Sequence, residues 1–383
     1  MFKVGTGWSD DPDTKLSAED ALTSAVNALD GQTPRAALVY AAVDMDLAVA
    51  AQVLRDRFPD ILIAGCSTDG EIASGEGFIE DSLVITLFAS DSIRFAVGCG
   101  SGAIADPKGA TKAAVDMAQA GEDGPPALTV ALLEGLGTNI HHLLDGLRDA
   151  TGPDAMIVGG AAGDQLRFEG TKQLCNDQVM SDGVVVLMVF GALNVSTGVS
   201  TGYVPLGQPH KVTKADGPVV HCIDDRPAAD LYAEYLQQPS VFFPLAVKDE
   251  SRKSLVLSSP LNFDAETGAL HLVNPVAEGS TVQIATASRQ EIIDAARNAA
   301  GQAVAGFDGG RIDAALLFSC GGRRATLGTR TREEYDGIRE IVGHDVPTAG
   351  FYCYGEISPD TPGGPPLTHT NAFVAVFIGE KEG

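Results

Sequence analysis

No apolar stretch in the chain is long enough to cross a bilayer. Even strongly apolar runs such as Val184–Phe190 fall far short of the ~18–20 residues that a spanning helix needs. The opening residues, MFKVGTGWSDDPD, have no apolar core and soon turn acidic, so they do not read as a secretory leader. Basic residues are scarce: 26 Lys+Arg stand against 51 Asp+Glu, a net charge of −25. That balance argues against nucleic acid, whose phosphates require a basic face, and against an anionic membrane surface. Six cysteines (66, 99, 175, 222, 320 and 353) are scattered without a C-x-x-C pair, which excludes a zinc knuckle or disulfide framework as the first reading. The expectation is a cytoplasmic protein with reduced thiols. Also missing are the Walker loop, G-x-G-x-x-G and H-E-x-x-H, so the chain is expected not to be an enzyme, with turnover of a small metabolite kept as an alternative.

What is present is glycine, 44 of 383 residues, about 11% against a usual ~7%, and an apolar fraction of 44% that is ample for real cores. The length suggests two domains. Much of the glycine falls in stretches that recur. Ile63-Ala-Gly-Cys-Ser-Thr-Asp-Gly-Glu71, Ile157-Val-Gly-Gly-Ala-Ala-Gly-Asp164 and Thr348-Ala-Gly-Phe-Tyr-Cys-Tyr-Gly-Glu356 each enter on apolar residues and close on Gly followed by an acid. Before each lies a helix (17–29 opened by Ser17, 106–119 by Asp106-Pro107, 288–304 by a Ser288/Glu291 capping box). Then come an apolar strand (36–43, 127–133, 314–319), a second helix (45–58, 139–150, 331–342) and the short strand into the loop. Another apolar run follows each loop, at 82–88, 183–190 and 371–379, and a further strand at 93–99 and 194–201.

Residues 203–287 fit this unit poorly. Pro227–Leu236 reads as a helix, and four short strands are separated by Thr267-Gly268 and Glu278-Gly279. The segment is either a degenerate fourth copy or a β-rich piece of its own. The expected architecture is α/β, with repeated helix–strand–helix–strand–loop–strand units forming mixed sheets flanked by helices, in two related halves, 1–202 and 203–383. Such crossovers are right-handed and join parallel strands, which places the Gly-acid loops at strand carboxyl ends, where ligands collect.

Ala64-Gly-Cys-Ser-Thr-Asp-Gly-Glu71 followed by Val158-Gly-Gly-Ala-Ala-Gly-Asp164 resembles the N-terminal half of the FIST family. Ala349-Gly-Phe-Tyr-Cys-Tyr-Gly-Glu356 with Thr368-His369-Thr370-Asn371, together with Val212-Thr213 and Arg226-Pro227-Ala228, resembles its C-terminal half. The resemblance implies an N-terminal and a C-terminal FIST domain acting as a sensory module of signal transduction. It implies a small ligand such as an amino acid, with haem and nitric-oxide sensing in some members. With no output domain expected on this chain, the sensor would signal through a separate partner such as a histidine kinase or cyclase.

Glu71, Asp164 and Glu356 are the candidate anchors for a ligand ammonium, and Arg323, after Gly321-Gly322, for a carboxylate. Cys66, Thr68, Gly159, Gly160, Cys353, Tyr354 and Asn371 are expected to line the same cleft. Cys66 and Cys353 stand at nearly equivalent positions, one residue apart in register. Each has a plainer reading: the acids as turn caps, Arg323 as half of a surface pair, the cysteines as small buried hydrophobes. Haem would need an axial histidine among positions 141, 142, 210, 221, 271, 344 and 369, and no C-x-x-C-H is present.

Overall fold

The computed structural model describes residues 2–250 and 252–381. The repeat is real and occurs three times. The first unit runs Lys3–Ser9, helix Thr14–Asn27, Ala36–Ala42, helix Leu47–Arg57, Leu62–Thr68, hairpin Glu71–Ala73/Gly77–Ile79, Leu83–Ala89. The second runs Arg94–Ser101, Pro107–Gln119, Leu128–Leu133, Ile140–Thr151, Ile157–Ala161, hairpin Gln173–Cys175/Gln178–Met180, Gly183–Phe190. The third opens with Leu193–Ser200 and resumes after an insertion with Arg289–Gly306, Ala314–Cys320, Arg332–Val342 and Thr348–Cys353. It closes with the hairpin Glu356–Pro359/Pro366–His369 and Phe373–Glu380. Each "further strand" of the sequence reading is thus the first strand of the next unit: 193–200 pairs with 373–380.

Three six-stranded mixed sheets result. In each, the two strands flanking the second helix are parallel, as the crossover rule requires. The hairpins leave home. That of the first unit pairs with Thr348–Cys353 of the third, that of the second with Leu62–Thr68 of the first, and that of the third with Ile157–Ala161 of the second. The exchange closes a cycle, so the units are interlocked.

Inward faces of all three sheets share one apolar cluster, in which Phe351 packs on Tyr40 (ring centroids 4.7 Å) and on Phe318 (5.5 Å). The helices cover the outer faces in separate clusters. Helix and sheet approach closely at the same point each time. Gly7, Gly98 and Gly198 are equivalent by strand pairing, and a Cβ at any of them would strike the carbonyl oxygen of Ala21, Ala114 or Ala299. This accounts for part of the glycine surplus and for the alanine-rich helices.

Helix starts follow side-chain caps: Asp13, Asp46, Asp106, Asn139 and Ser288 accept from the first-turn amides, satisfying orphan donors. The first helix therefore begins at Thr14, not at Ser17, whose hydroxyl is buried and donates to Ser9 O. The insertion between 200 and 289 is β-rich and carries no copy of the unit. Its eight strands, from Val204–Asp216 to Thr281–Thr286, form an antiparallel sheet around Val220, Tyr232, Leu245 and Leu270. The expected helix Pro227–Leu236 is reduced to Ala229–Ala233, because Arg226–Pro227 pairs as a short strand. No helix among the described residues is long and apolar enough to cross a membrane.

Candidate functional site

The three recurring loops do converge. Backbone amides form a cyclic set of bonds: Asp69 N to Tyr352 O (2.9 Å), Gly163 N to Ser67 O (3.0 Å) and Tyr354 N to Ala161 O (3.0 Å). The three acceptors occupy one equivalent position in the three units, and the three donors another, two residues on. The loops lock one another, so the centre is closed where an open cleft was expected. A Cβ at Gly163 would sit 2.7 Å from Asp69 N, and only glycine allows the approach.

The acids of these loops are structural. Glu71 is buried and accepts from Thr68 Oγ1 and from Ser82 Oγ at 2.6 Å. Burial still pushes its pKa up to about 7. Glu356 accepts from Ala372 N at 3.1 Å and from the Cys353 thiol, and burial pushes it up to about 8. Asp164 is not their counterpart. Strand pairing places Gln173 at the position of Glu71 and Glu356, and Gly183 N donates to Gln173 Oε1 at 3.2 Å just as Ala372 N does to Glu356. Asp164 instead caps a loop, accepting from the amides of Phe168, Glu169 and Gly170 and from the Tyr354 hydroxyl at 2.5 Å. Burial raises its pKa, but those bonds outweigh it and hold the group below the usual value.

Other candidates are spent on packing too. Every N–H of Arg323 has an acceptor: Glu334 Oε1, Thr201 O, Asn371 O and Ile292 O. Its side chain is wholly buried, with no donor left for a carboxylate. Gly159 passes against Ala131 O, and a Cβ at Gly160 would sit 2.8 Å from Cys353 Sγ. Thr68 braces Glu71. Cys66 is in the central cluster at the position of Phe351, two residues from that of Cys353.

The cavity lies beside the ring, in the crevice between the second and third units, roofed by the inserted sheet. Its volume is about 460 Å³, within the ~300–1,000 Å³ typical of ligand sites. Three of the expected residues line it: Cys353, Tyr354 and Asn371. The second unit contributes the loop Glu134–Ile140, and the third adds Cys320, Gly322 and Ala325. The inserted sheet contributes Val241, Phe242, Leu261 and Asn274, while Phe168 stands at the mouth, stacked on Tyr354 at 5.3 Å. Asn371, at φ +54°, ties unit to roof by donating to Ser259 Oγ at 2.9 Å. Glu134 is the single charged lining residue. Burial raises its pKa, against bonds from Thr171 Oγ1 (2.6 Å) and Leu136 N (2.9 Å). Glu134 and the roof carried no sequence signal, since an acid after a strand and scattered apolar residues in a β-rich segment are ordinary.

The lining of this chamber does not fit haem. No histidine lines this chamber, and the two thiols that do, Cys320 and Cys353, are held protonated by burial, whereas axial cysteine must be thiolate. Among the described residues no cluster of His, Cys, Asp and Glu is placed to hold a metal.

An α/β protein of interlocked repeats, with one apolar chamber walled by two units and a β-rich insertion, is the class the structure defines. Residues 35–226 match the FIST N domain and residues 228–359 the FIST C domain. The chain belongs to the FIST family, whose domains serve as sensory domains of signal transduction. An uncharacterised protein of Mycobacterium tuberculosis is 28% identical, with 98% of this chain and 100% of the relative covered. An uncharacterised protein of Mycobacterium bovis is 25% identical, with 100% of both covered. A solved cyanuric acid hydrolase aligns over 100% of both chains at a TM-score of 0.38 and 11% identity, too distant a likeness to bear on activity.

Proposed function

We propose that the chamber beside the ring is the ligand site of a small-molecule sensor. The carrying observation is that its walls come from three parts of the chain: the second unit, the third unit and the inserted sheet. A ligand touching all three gains contacts in one seating of the insertion that it lacks in another. That differential affinity is what a switch requires. The insertion's changed seating would then be read by a separate signalling protein such as a histidine kinase or cyclase.

The lining selects the ligand. Aromatic and aliphatic side chains take an apolar body, amides and hydroxyls fix its orientation, and Glu134 takes a donor or an ammonium group. An amino acid or related metabolite matches this set at its amine end, with Glu134 in the role that Glu71, Asp164 and Glu356 cannot fill. A thermal-shift screen of amino acids, nucleobases and organic acids tests it, on the native chain and on Ala325→Trp. Ala325 is exposed in the chamber wall, so the indole fills space without disturbing a core. The expected result is a stabiliser worth several degrees whose effect disappears in Ala325→Trp. A stabiliser indifferent to that substitution, or none across the panel, sinks the proposal, and depletion of a panel member would point to catalysis instead.

A further inference from the structure

A second, smaller cavity of about 200 Å³ adjoins the first and shares Asn274 and Thr370 with it. We infer that this chamber is a carboxylate-binding subsite for the far end of the same ligand, a deepening that rests on the larger chamber being the ligand site. The start of helix Ile140–Thr151 separates the two: Asn139 and Ile140 wall the larger, His141 the smaller. The chemistry of their linings is opposite. The larger has one acid and no basic residue; the smaller has Arg252, His141 and His369 and neither Asp nor Glu. In a chain of net charge −25, a chamber with a cation and no acidic wall runs against the overall charge.

Arg252 is underused where it sits. Its Nη2 donates to Thr368 O at 2.7 Å and lies 3.3 Å from His369 Nδ1, and its Nε is buried with no partner among the described residues. Asp360 and Asp249 support its charge but neither lines the chamber, and Asp360 Oδ2 is already engaged by the amides of Lys253 and Ser254. The imidazoles do not compete as cations. Burial pushes His369 down to about 4 and also lowers His141. His369 Nε2 lies 2.9 Å from Ser358 O, a carbonyl that can only accept, so the proton sits there and Nδ1 faces the guanidinium bare. A half-buried guanidinium whose neighbours in the chamber wall are neutral, and which has spare donor capacity, is matched in charge and fork geometry by a carboxylate. The ligand class is therefore an organic acid with an apolar, amine- or donor-bearing body, longer than a single α-amino group and its carboxylate require.

Sodium acetate is the probe, because it needs only the smaller chamber. It is titrated in place of sodium chloride at constant ionic strength while the histidine imidazole signals are followed by NMR. Saturable shifts at His141 and His369 are expected, lost in Arg252→Gln and retained about tenfold weaker in Arg252→Lys. No saturable shift, or shifts undiminished in Arg252→Gln, overturn the subsite. Circular dichroism establishes that both variants fold, and the lysine variant carries the test if the glutamine variant does not. Ala325→Trp should leave acetate binding intact. Failure of acetate beside an Ala325-dependent stabiliser removes this inference alone, and acetate binding without any such stabiliser removes the larger-chamber reading alone.

Discussion

Two of the crevices between neighbouring units are bridged by charge, and the third is hollow. Between the first and third units, Arg324 pairs with buried Asp69 (3.3 Å) and with Glu80 while lying over the Phe78 ring at 5.4 Å. Between the first and second, Arg167 grips Asp44 at 2.5 and 2.7 Å, and Lys172 Nζ donates to Val43 O. Between the second and third, no basic side chain among the described residues lines the larger chamber, and the insertion covers the gap. The chamber thus arises where the threefold pattern is broken. Repetition supplies the closed ring and the rigid walls; departure from it supplies the space.

Removing a plug should be the largest effect. Arg324→Ala leaves the Asp69 carboxylate buried without its cation, a loss of about 2–3 kcal/mol after allowing for the arginine's partial exposure. Urea unfolding measures it, and adding Asp69→Asn should restore most of the loss. If the double variant is no better than the single, the cation is not what holds that crevice shut.

Next comes a test of equivalence among the units. The second unit already carries an amide, Gln173, where the others carry Glu71 and Glu356. Glu71 keeps its proton in the folded chain up to a pKa of about 7, while the unfolded chain releases it near 4.5. The folded state therefore binds more protons, and stability falls as pH rises from about 4.5 to about 7. Glu71→Gln should remove that decline, gaining on the order of 2 kcal/mol over wild type at pH 8 and nothing at pH 4. A gain independent of pH would mean that the carboxyl is ionised in the fold.

The smallest effect sharpens the contrast from the other side. Arg167 and Asp44 are a solvent-exposed pair, and such pairs contribute little. Arg167→Ala should leave the melting midpoint unchanged at moderate salt. A clear loss would show that this crevice is held as firmly by charge as the one closed by Arg324.

Much of the scaffold could be read from periodicity. The capping box Ser288/Glu291 and the parallel pairs 36–42/62–68, 128–133/157–161 and 314–320/348–353 are local or near-local features. Long-range equivalence was hidden. The loop after Gly163 is longer than its counterparts, so the Gly-Asp pair at 163–164 imitates Gly70-Glu71 in sequence while Gln173 takes the position in space. Arg323 looked like a surface residue because its acceptors, near 201, 292, 334 and 371, are scattered along the chain. The chamber was illegible for the same reason: its roof and its acid come from segments that meet only in the folded molecule. Cys353, Tyr354 and Asn371 were legible because they flank the third loop itself.

The hairpin exchange has a consequence for synthesis. The strand Glu71–Ala73 pairs on one edge with Gly77–Ile79 of its own hairpin, but its other edge finds a partner only in residues Phe351 back to Ala349. With Ala73 and Ala349 separated by 349 − 73 = 276 positions, translation at ~5–20 residues per second leaves that edge waiting for roughly 15–50 s. During that interval the nascent chain displays an open strand edge, the kind of template that recruits other chains. The carboxylate of Glu71, not yet buried and so still charged, sits on that edge as a temporary guard, and it gives up its charge only when the last unit arrives to close the cycle.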